Sequence, residues 1–242
     1  MKKRTLALQM IFMLIISFIT TGIVTAQNDN KTKKHKINVN ELVNETQQMS
    51  EDADKMQLVW WIPVEYWETV LYSDGQVATN EADMIIDMIK PYTMVVVVDG
   101  DIGMFGNIDY VEKDEIIKSL KLTDAKGEDY KPIPEDELNQ DTKSLLSIMK
   151  PILSNMLGGL GKNMHFFLFP GTNKRNKPLI EATQEGHFIV QLSENKYFWR
   201  LPLGSLLPPK YDPDTGEELN GSWKYSPWTG KKLLDNPPPK KK

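Results

Sequence analysis

The segment Gln57-Leu58-Val59-Trp60-Trp61-Ile62-Pro63 decides where the folded region begins. A run of apolar and aromatic residues has strand character, and Pro63 brings that strand to an edge or an end. Farther along, an apolar series at spacings of three and four predicts a helix that ends before Pro91; its members are Ala82, Ile85, Ile86 and Ile89. Tyr92 to Val98 then predicts a buried strand.

The rest of the region continues this mixture of elements. A short helix is expected around Lys113 to Leu120, and a long helix over Asp141 to Leu157, bent by Pro151. Three further strands are predicted, at Met164 to Phe169, His187 to Leu192 and Tyr197 to Leu201. Because strands and helices do not alternate regularly, we predict an α+β fold over residues 58–204, with a mixed or antiparallel sheet packed against two main helices.

The N terminus resembles a secretory signal peptide. Lys2, Lys3 and Arg4 precede the apolar run Ile11 to Ile16, and Val24-Thr25-Ala26 supplies a cleavage point after Ala26. Residues 1–26 therefore predict export to the periplasm or the exterior. The alternative is an anchor, because uncharged residues 5–26 are long enough to span the inner membrane and lysines follow them. The next segment, 27–57, is polar and predicts a tether with at most one short helix.

Composition limits the classes of partner and site. The chain has 29 basic and 33 acidic residues, a net charge of −4, and without residues 1–26 it is more acidic still. That balance excludes nucleic acid as a general partner. The chain has no cysteine, which excludes disulfides, thiolate metal sites and a lipid-modified cysteine. We expect no cofactor.

Near the C terminus the chain repeats an octapeptide. Asp212-Pro-Asp-Thr-Gly-Glu-Glu-Leu219 is followed fourteen residues later by Ser226-Pro-Trp-Thr-Gly-Lys-Lys-Leu233. The repeat resembles the two knuckles of a zinc ribbon, Cys-Pro-x-Cys-Gly-x-x-Leu. The resemblance puts Asp212, Thr215, Ser226 and Thr229 where that family has its four cysteine ligands. Ser and Thr hydroxyls are poor zinc ligands, so we expect no metal there.

The resemblance implies a small metal-free, zinc-ribbon-like β module over residues 205–234. Such ribbons serve mostly as structural or docking modules. Aromatic side chains in and beside the repeat offer packing in place of a metal; they include Trp223 and Trp228. Residues 235–242 predict a disordered tail rich in Pro and Lys. The chain as a whole looks like exported bacterial proteins of unknown function, and no activity comes with that resemblance.

Two other groups of side chains are candidates for a site. Trp60, Trp61 and Trp67 surround Glu65, and aromatic platforms with carboxylates occur in sugar-processing sites. The alternative is that these aromatics begin the core. His165 and His187 adjoin Phe-rich strands and would seed a metal site only if they lay together with an acidic neighbour.

We therefore predict a non-catalytic exported protein with a structural, docking or ligand-binding role. Its partner would be another envelope or secreted protein, and only an uncleaved N-terminal segment would bring it to the membrane. The alternative is an extracytoplasmic hydrolase acting on a polysaccharide or cell-envelope substrate, with Glu65 as general acid or base. No catalytic residue is assigned in the preferred interpretation.

Overall fold

A computed structural model of the chain describes residues 36–73, 77–156 and 158–239. The predicted signal peptide over 1–26 lies outside the described residues, as does the end of the tail. Within the described ranges, no helix combines the length and the apolar character that a membrane crossing requires.

The first sheet has four antiparallel strands in the order β1-β2-β3-β8. Their bounds are Gln47–Met49, Leu58–Ile62, Tyr92–Val98 and His165–Pro170. Every residue of β2 is buried, as are six of the seven residues of β3, because β2 and β3 lie in the interior of the sheet and are covered by the rest of the domain. Trp60 pairs with Val96 in their register. The apolar and aromatic run that begins at Gln57 thus forms an inner strand, which ends at Ile62 just before Pro63.

The second sheet also has four antiparallel strands, in the order β10-β9-β6-β7. They span Asn195–Leu201, Gly186–Leu192, Lys121–Thr123 and Asp129–Tyr130. In β10, Tyr197, Trp199 and Leu201 are buried, whereas Phe198 and Arg200 point outward. The two sheets share one core, since the Trp61 ring of β2 meets the Phe188 ring of β9 edge-on at 4.8 Å and Phe188 stacks on Trp199 at 5.0 Å.

Two smaller antiparallel pairs complete the strands. Strands β4 and β5, Gly100–Ile102 and Ile108–Tyr110, form a hairpin, and β11 and β12, Lys210–Tyr211 and Glu218–Leu219, lie near the C terminus. All the strand pairs in the described residues are antiparallel, and helices are interspersed among them, so the fold is α+β.

The described residues form five α-helices. They are α1, Val39–Thr46; α2, Val64–Tyr72; α3, Thr79–Ile89; α4, Lys113–Ser119; and α5, Gln140–Met156. The apolar series beginning at Ala82 is buried on one face of α3. Ala78 occupies the N-cap position of α3 and makes no side-chain capping bond.

The segment predicted as a polar tether is structured over its described part. Asn38 caps α1 by accepting hydrogen bonds from the backbone of Asn40 and Glu41, and Leu42 on that helix is fully buried. Residues Gln47–Met49 then pair with β2. A single apolar stripe in a polar sequence is enough to dock this helix, because the stripe packs against the apolar core of the domain. Residues 27–35 lie outside the described ranges.

Candidate functional site

The aromatic group around Glu65 belongs to the core. Trp60, Trp61 and Trp67 are only 2%, 3% and 7% exposed, so they do not form an exposed platform. Trp60 donates its indole N–H to the Thr46 hydroxyl at 3.1 Å, which ties β2 to α1. These tryptophans therefore stabilise the fold, as the core alternative predicted.

Glu65 itself is half-buried in the first turn of α2. Burial raises the pKa of its carboxyl above 4.5, and the neighbouring Glu68 adds to the shift. A raised pKa suits a proton donor, but the tryptophans beside it offer no exposed surface for a sugar.

The two candidate histidines lie on different sheets. His165 is in β8 and pairs with Val97, whereas His187 is in β9 and pairs with Arg200. Glu185 forms an ion pair with Lys224. Among the described residues, no group of three or more His, Asp or Glu side chains could hold a metal ion.

The two repeated octapeptides form two turns with the same hydrogen bonds. In the first, the Asp212 carboxylate accepts from the backbone N–H groups of Asp214 and Thr215, at 2.8 and 2.9 Å. In the second, the Ser226 hydroxyl accepts from the backbone N–H groups of Trp228 and Thr229, both at 3.3 Å. The residue at the first position of each repeat thus holds its own turn closed.

The glycines of the repeat complete the match. The Gly216 N–H donates to the Asp212 carbonyl and the Gly230 N–H to the Ser226 carbonyl, each at 2.9 Å. Gly216 and Gly230 have φ of 72° and 70°, a region that residues with a Cβ adopt only with strain. The sequence repeat is therefore a repeat of backbone conformation.

The two turns meet through Asp212. The Thr229 hydroxyl donates to its carboxylate at 3.4 Å, and both Asp212 and Ser226 are buried. Hydrogen bonds from the Ser226 hydroxyl and from the Thr215 backbone lower the pKa of Asp212 from 3.8 to about 2. Three of the predicted ligand positions thus share one hydrogen-bonded cluster, and the fourth, Thr215, joins it through its N–H.

Glu45 links this C-terminal region to the N-terminal helix. Its carboxylate accepts from the backbone N–H groups of Gly204 and Ser205 at 3.0 Å, from the Ser205 hydroxyl at 2.6 Å and from the Asn220 amide at 2.9 Å. Four donors on one carboxylate make a strong anchor, since hydrogen bonds to a charged group are about twice as strong as neutral ones.

A groove of about 1000 Å³ opens beside this anchor. One wall is the outward face of β9 and β10, where the His187 ring stacks on the Phe198 ring at 5.5 Å. The other wall is formed by Trp223, Lys224 and Tyr225 of the C-terminal region. The volume lies at the upper end of the range of about 300–1,000 Å³ that is typical of ligand pockets.

Three aromatic side chains in this groove are exposed: Phe198, Trp223 and Tyr225. Arg200 also lines it and forms no ion pair with another described residue. Lys224 and Glu185 neutralise each other across the mouth at 3.2 Å. The groove can therefore offer a ligand aromatic surface and the Arg200 guanidinium, with the Glu45 carboxylate also in its lining.

The two tryptophans predicted as binding residues have different positions. Trp223 lines the groove and is 43% exposed, whereas Trp228 is 70% exposed and does not line it. Phe198 and Arg200 belong to no motif that marks them as binding residues in the sequence. The alternation of apolar and polar residues along β10 is the signal that could have identified both. Successive side chains of a strand point to opposite faces, so with Tyr197, Trp199 and Leu201 in the core the residues between them must point outward.

Comparison with known proteins adds no relative. No protein-family model, no curated protein and no solved structure matches the chain.

Proposed function

We propose that the protein is a non-catalytic exported protein that binds a segment of another envelope or secreted protein in the groove beside β10. The observation that carries the proposal is the convergence of Phe198, Trp223 and Tyr225, all exposed, on one concave surface. Aromatic residues and arginine are the side chains most enriched at the energetic centre of protein interfaces.

The lining indicates the chemistry of the bound segment. An apolar or aromatic side chain would lie between Phe198 and Trp223, where it loses water on both sides. An acidic side chain or a C-terminal carboxylate would pair with Arg200, whose planar guanidinium favours two-point contact with carboxylates. The preferred ligand is thus a short peptide with an apolar residue close to a carboxylate.

We infer that residues 205–234 are a zinc-ribbon-like module in which a hydrogen-bonded cluster takes the place of the metal. The matched turns of the two octapeptides and the buried Asp212 carboxylate support this interpretation. The module would then act as one wall of the groove, held in position by Glu45.

Peptide selection tests the proposal. A phage-displayed library of random peptides is selected on the protein, and the enriched peptides are measured against variants by fluorescence polarisation. Trp223→Ala and Arg200→Ala should each weaken binding at least tenfold, because a truncated anchor at an interface costs about 2 kcal/mol. The matched control is Trp228→Ala, an exposed tryptophan on the same module but outside the groove.

Two results would overturn the proposal: no peptide is enriched, or enriched peptides bind the Trp223→Ala variant and the unmodified protein equally well. Circular dichroism of each variant would verify that it is folded.

The alternative, an extracytoplasmic hydrolase, rests on the raised pKa of Glu65. Hydrolysis of peptidoglycan or another polysaccharide that is lost in Glu65→Gln and retained in Glu68→Gln would favour that alternative over a binding role. The binding proposal expects neither substitution to affect peptide affinity, since neither residue lines the groove.

A further inference from the structure

The tip of the β4–β5 hairpin carries two exposed apolar side chains. Met104 and Phe105 are 94% and 93% exposed, more than any other large apolar side chain in the described residues. They occupy the two central positions of a tight turn closed by the Gly106 N–H on the Gly103 carbonyl at 2.8 Å. The Gly103 N–H also donates to the Asn107 carbonyl at 2.8 Å, so the backbone holds the tip in a defined shape.

This tip is unusual because turn centres normally carry glycine or short polar residues. Met and Phe gain nothing there from the fold of their own chain. A contiguous exposed apolar pair on a rigid support is a feature of interaction sites. We name Met104 and Phe105 the apolar tip.

Behind the apolar tip, two carboxylates face each other across the hairpin. Asp101 and Asp109 are direct partners in the β4–β5 register, and like charges at such positions destabilise a sheet. Lys55 forms an ion pair with Asp101, whereas Asp109 has no ion-pair partner among the described residues and accepts a hydrogen bond from the Asn107 amide at 3.3 Å. The apolar tip therefore has an acidic base.

A second groove has the complementary character. It has a volume of about 550 Å³ and lies between α4, α5 and β8. Ile117, Leu146 and Phe166 contribute to an apolar lining, and Ile117 is itself one of the exposed large apolar residues. Nothing in the described chain fills it.

Three lysines and two carboxylates, those of Asp114 and Glu135, line this groove. Lys143 and Lys150 lie on α5 two helical turns apart, and Lys113 lies on α4. Lys113 is paired with Glu135 at 2.7 Å, whereas Lys150 has no ion-pair partner among the described residues. Burial, and then Lys150 and Lys113, lower the pKa of His165 in the same groove, and the buried His165 Nδ1 has no hydrogen-bond partner. We name this surface the lysine-rimmed groove.

We propose that the apolar tip of one copy of this chain docks in the lysine-rimmed groove of a second copy. Met104 and Phe105 would be buried against Ile117 and Phe166, and the acidic base of the tip would face Lys150. Charge complementarity supports this occupant: the apolar tip has the carboxylate of Asp109 behind it, and the apolar groove has three lysines against two carboxylates. The carboxylates behind the tip disfavour insertion into a bilayer with anionic lipids, which would repel them.

The contact should be weak. Two side chains per copy bury much less than the roughly 800 Å² per partner of a standard interface. Association in the micromolar to millimolar range is therefore expected. If each tip enters the groove of the other copy, the result is a closed dimer, and if not, the chains add head to tail.

Sedimentation velocity over a concentration series is the first test, on the protein in the form that expressing cells produce. The unmodified protein should show reversible association, and Phe105→Asp should weaken it at least tenfold. The matched control, Met84→Asp, alters a methionine on α3 that is 41% exposed and distant in sequence from both surfaces; association should be unchanged.

Charge-reversal variants distinguish this specific contact from nonspecific hydrophobic association. Asp109→Lys and Lys150→Glu should each weaken association, and a mixture of the two variants should restore it, because each supplies the charge that the other then lacks.

Disulfide trapping gives a readout that does not depend on affinity. Because the chain has no cysteine, each introduced thiol is the only one in its copy. Met104→Cys mixed with Ser147→Cys, a position that lines the lysine-rimmed groove, should form a covalent heterodimer with oxidised glutathione present. Met104→Cys mixed with Lys196→Cys, on the outward face of β10, should not.

A protein that stays monomeric at the highest concentration reached and yields no trapped heterodimer would overturn the proposal. So would association that survives Phe105→Asp. If the monomer instead binds zwitterionic or anionic vesicles through Phe105, the apolar tip is a membrane contact and the second-copy proposal is wrong.

Discussion

Asp212 joins two turns of the C-terminal region through a single carboxylate. Its carboxylate accepts from its own turn and from the neighbouring one, and its pKa is lowered to about 2. A group whose pKa is lower in the folded state stabilises the fold at pH values above its unfolded pKa near 4, and that contribution disappears as the pH falls through about 2.

We therefore predict that Asp212→Asn destabilises the protein most above pH 4 and progressively less towards pH 2. The asparagine keeps a carbonyl acceptor but cannot gain from ionisation. Urea unfolding followed by tryptophan fluorescence at pH 7, 5, 3 and 2 measures the difference. Asp214→Asn, an exposed carboxylate in the same turn, is the control and should have little effect. An Asp212→Asn effect of equal size at all four values would contradict the assignment.

The positions of several single residues could not be predicted from the sequence. The tryptophans at 60, 61 and 67 could be read as core or as platform, and only burial separates the two. Glu45 gives no local signal at all, because its four donors lie at 204, 205 and 220. A carboxylate in a polar segment looks solvated until the distant chain is in place.

Among the elements, those with a strong internal pattern were predictable. The apolar spacing beginning at Ala82 predicted α3, and the apolar run from Tyr92 predicted β3. Helix α1 and strand β1 were not predicted as parts of the domain, because eight and three residues carry little periodicity. Their stability comes from tertiary contacts and from pairing with β2.

The packing of helix α1 leads to a prediction about the free energy of unfolding. Leu42→Ala should lower the free energy of unfolding by about 3 kcal/mol, because it leaves a cavity at a fully buried position. The same change in a solvated tether would cost almost nothing. Met49→Ala, 56% exposed in the adjacent strand, is the control. Equal stability of both variants in guanidinium unfolding would show that α1 does not pack as described.

The molecule as a whole unites residues that are remote in sequence. The groove beside β10 takes lining from Glu45, from the two strands of a hairpin and from the C-terminal region. Composition and motif spacing cannot predict such a surface, because it depends on the relative position of three segments. What the sequence did predict is the mixed architecture. The C-terminal wall of the groove comes from residues 220–225, which lie between the two octapeptides of the repeat.

Export is a prediction about the whole chain. N-terminal sequencing of protein recovered from the periplasmic or secreted fraction should begin at Gln27, the residue after the predicted cleavage point. Recovery with Met1 in the membrane fraction would favour the anchor over residues 5–26.

Glu45 has a consequence for the order in which the chain can mature. Its hydrogen bonds close loops of 159 to 175 residues, and contacts of such separation form late because the entropy of closing the loop must be offset first. During synthesis, an emerging chain whose residues from 204 onwards are still confined lacks these four donors for the carboxylate. The contact between α1 and the C-terminal region is therefore complete only after residue 220 has emerged, so α1 stays without its anchor while the strands between them are already free to pair.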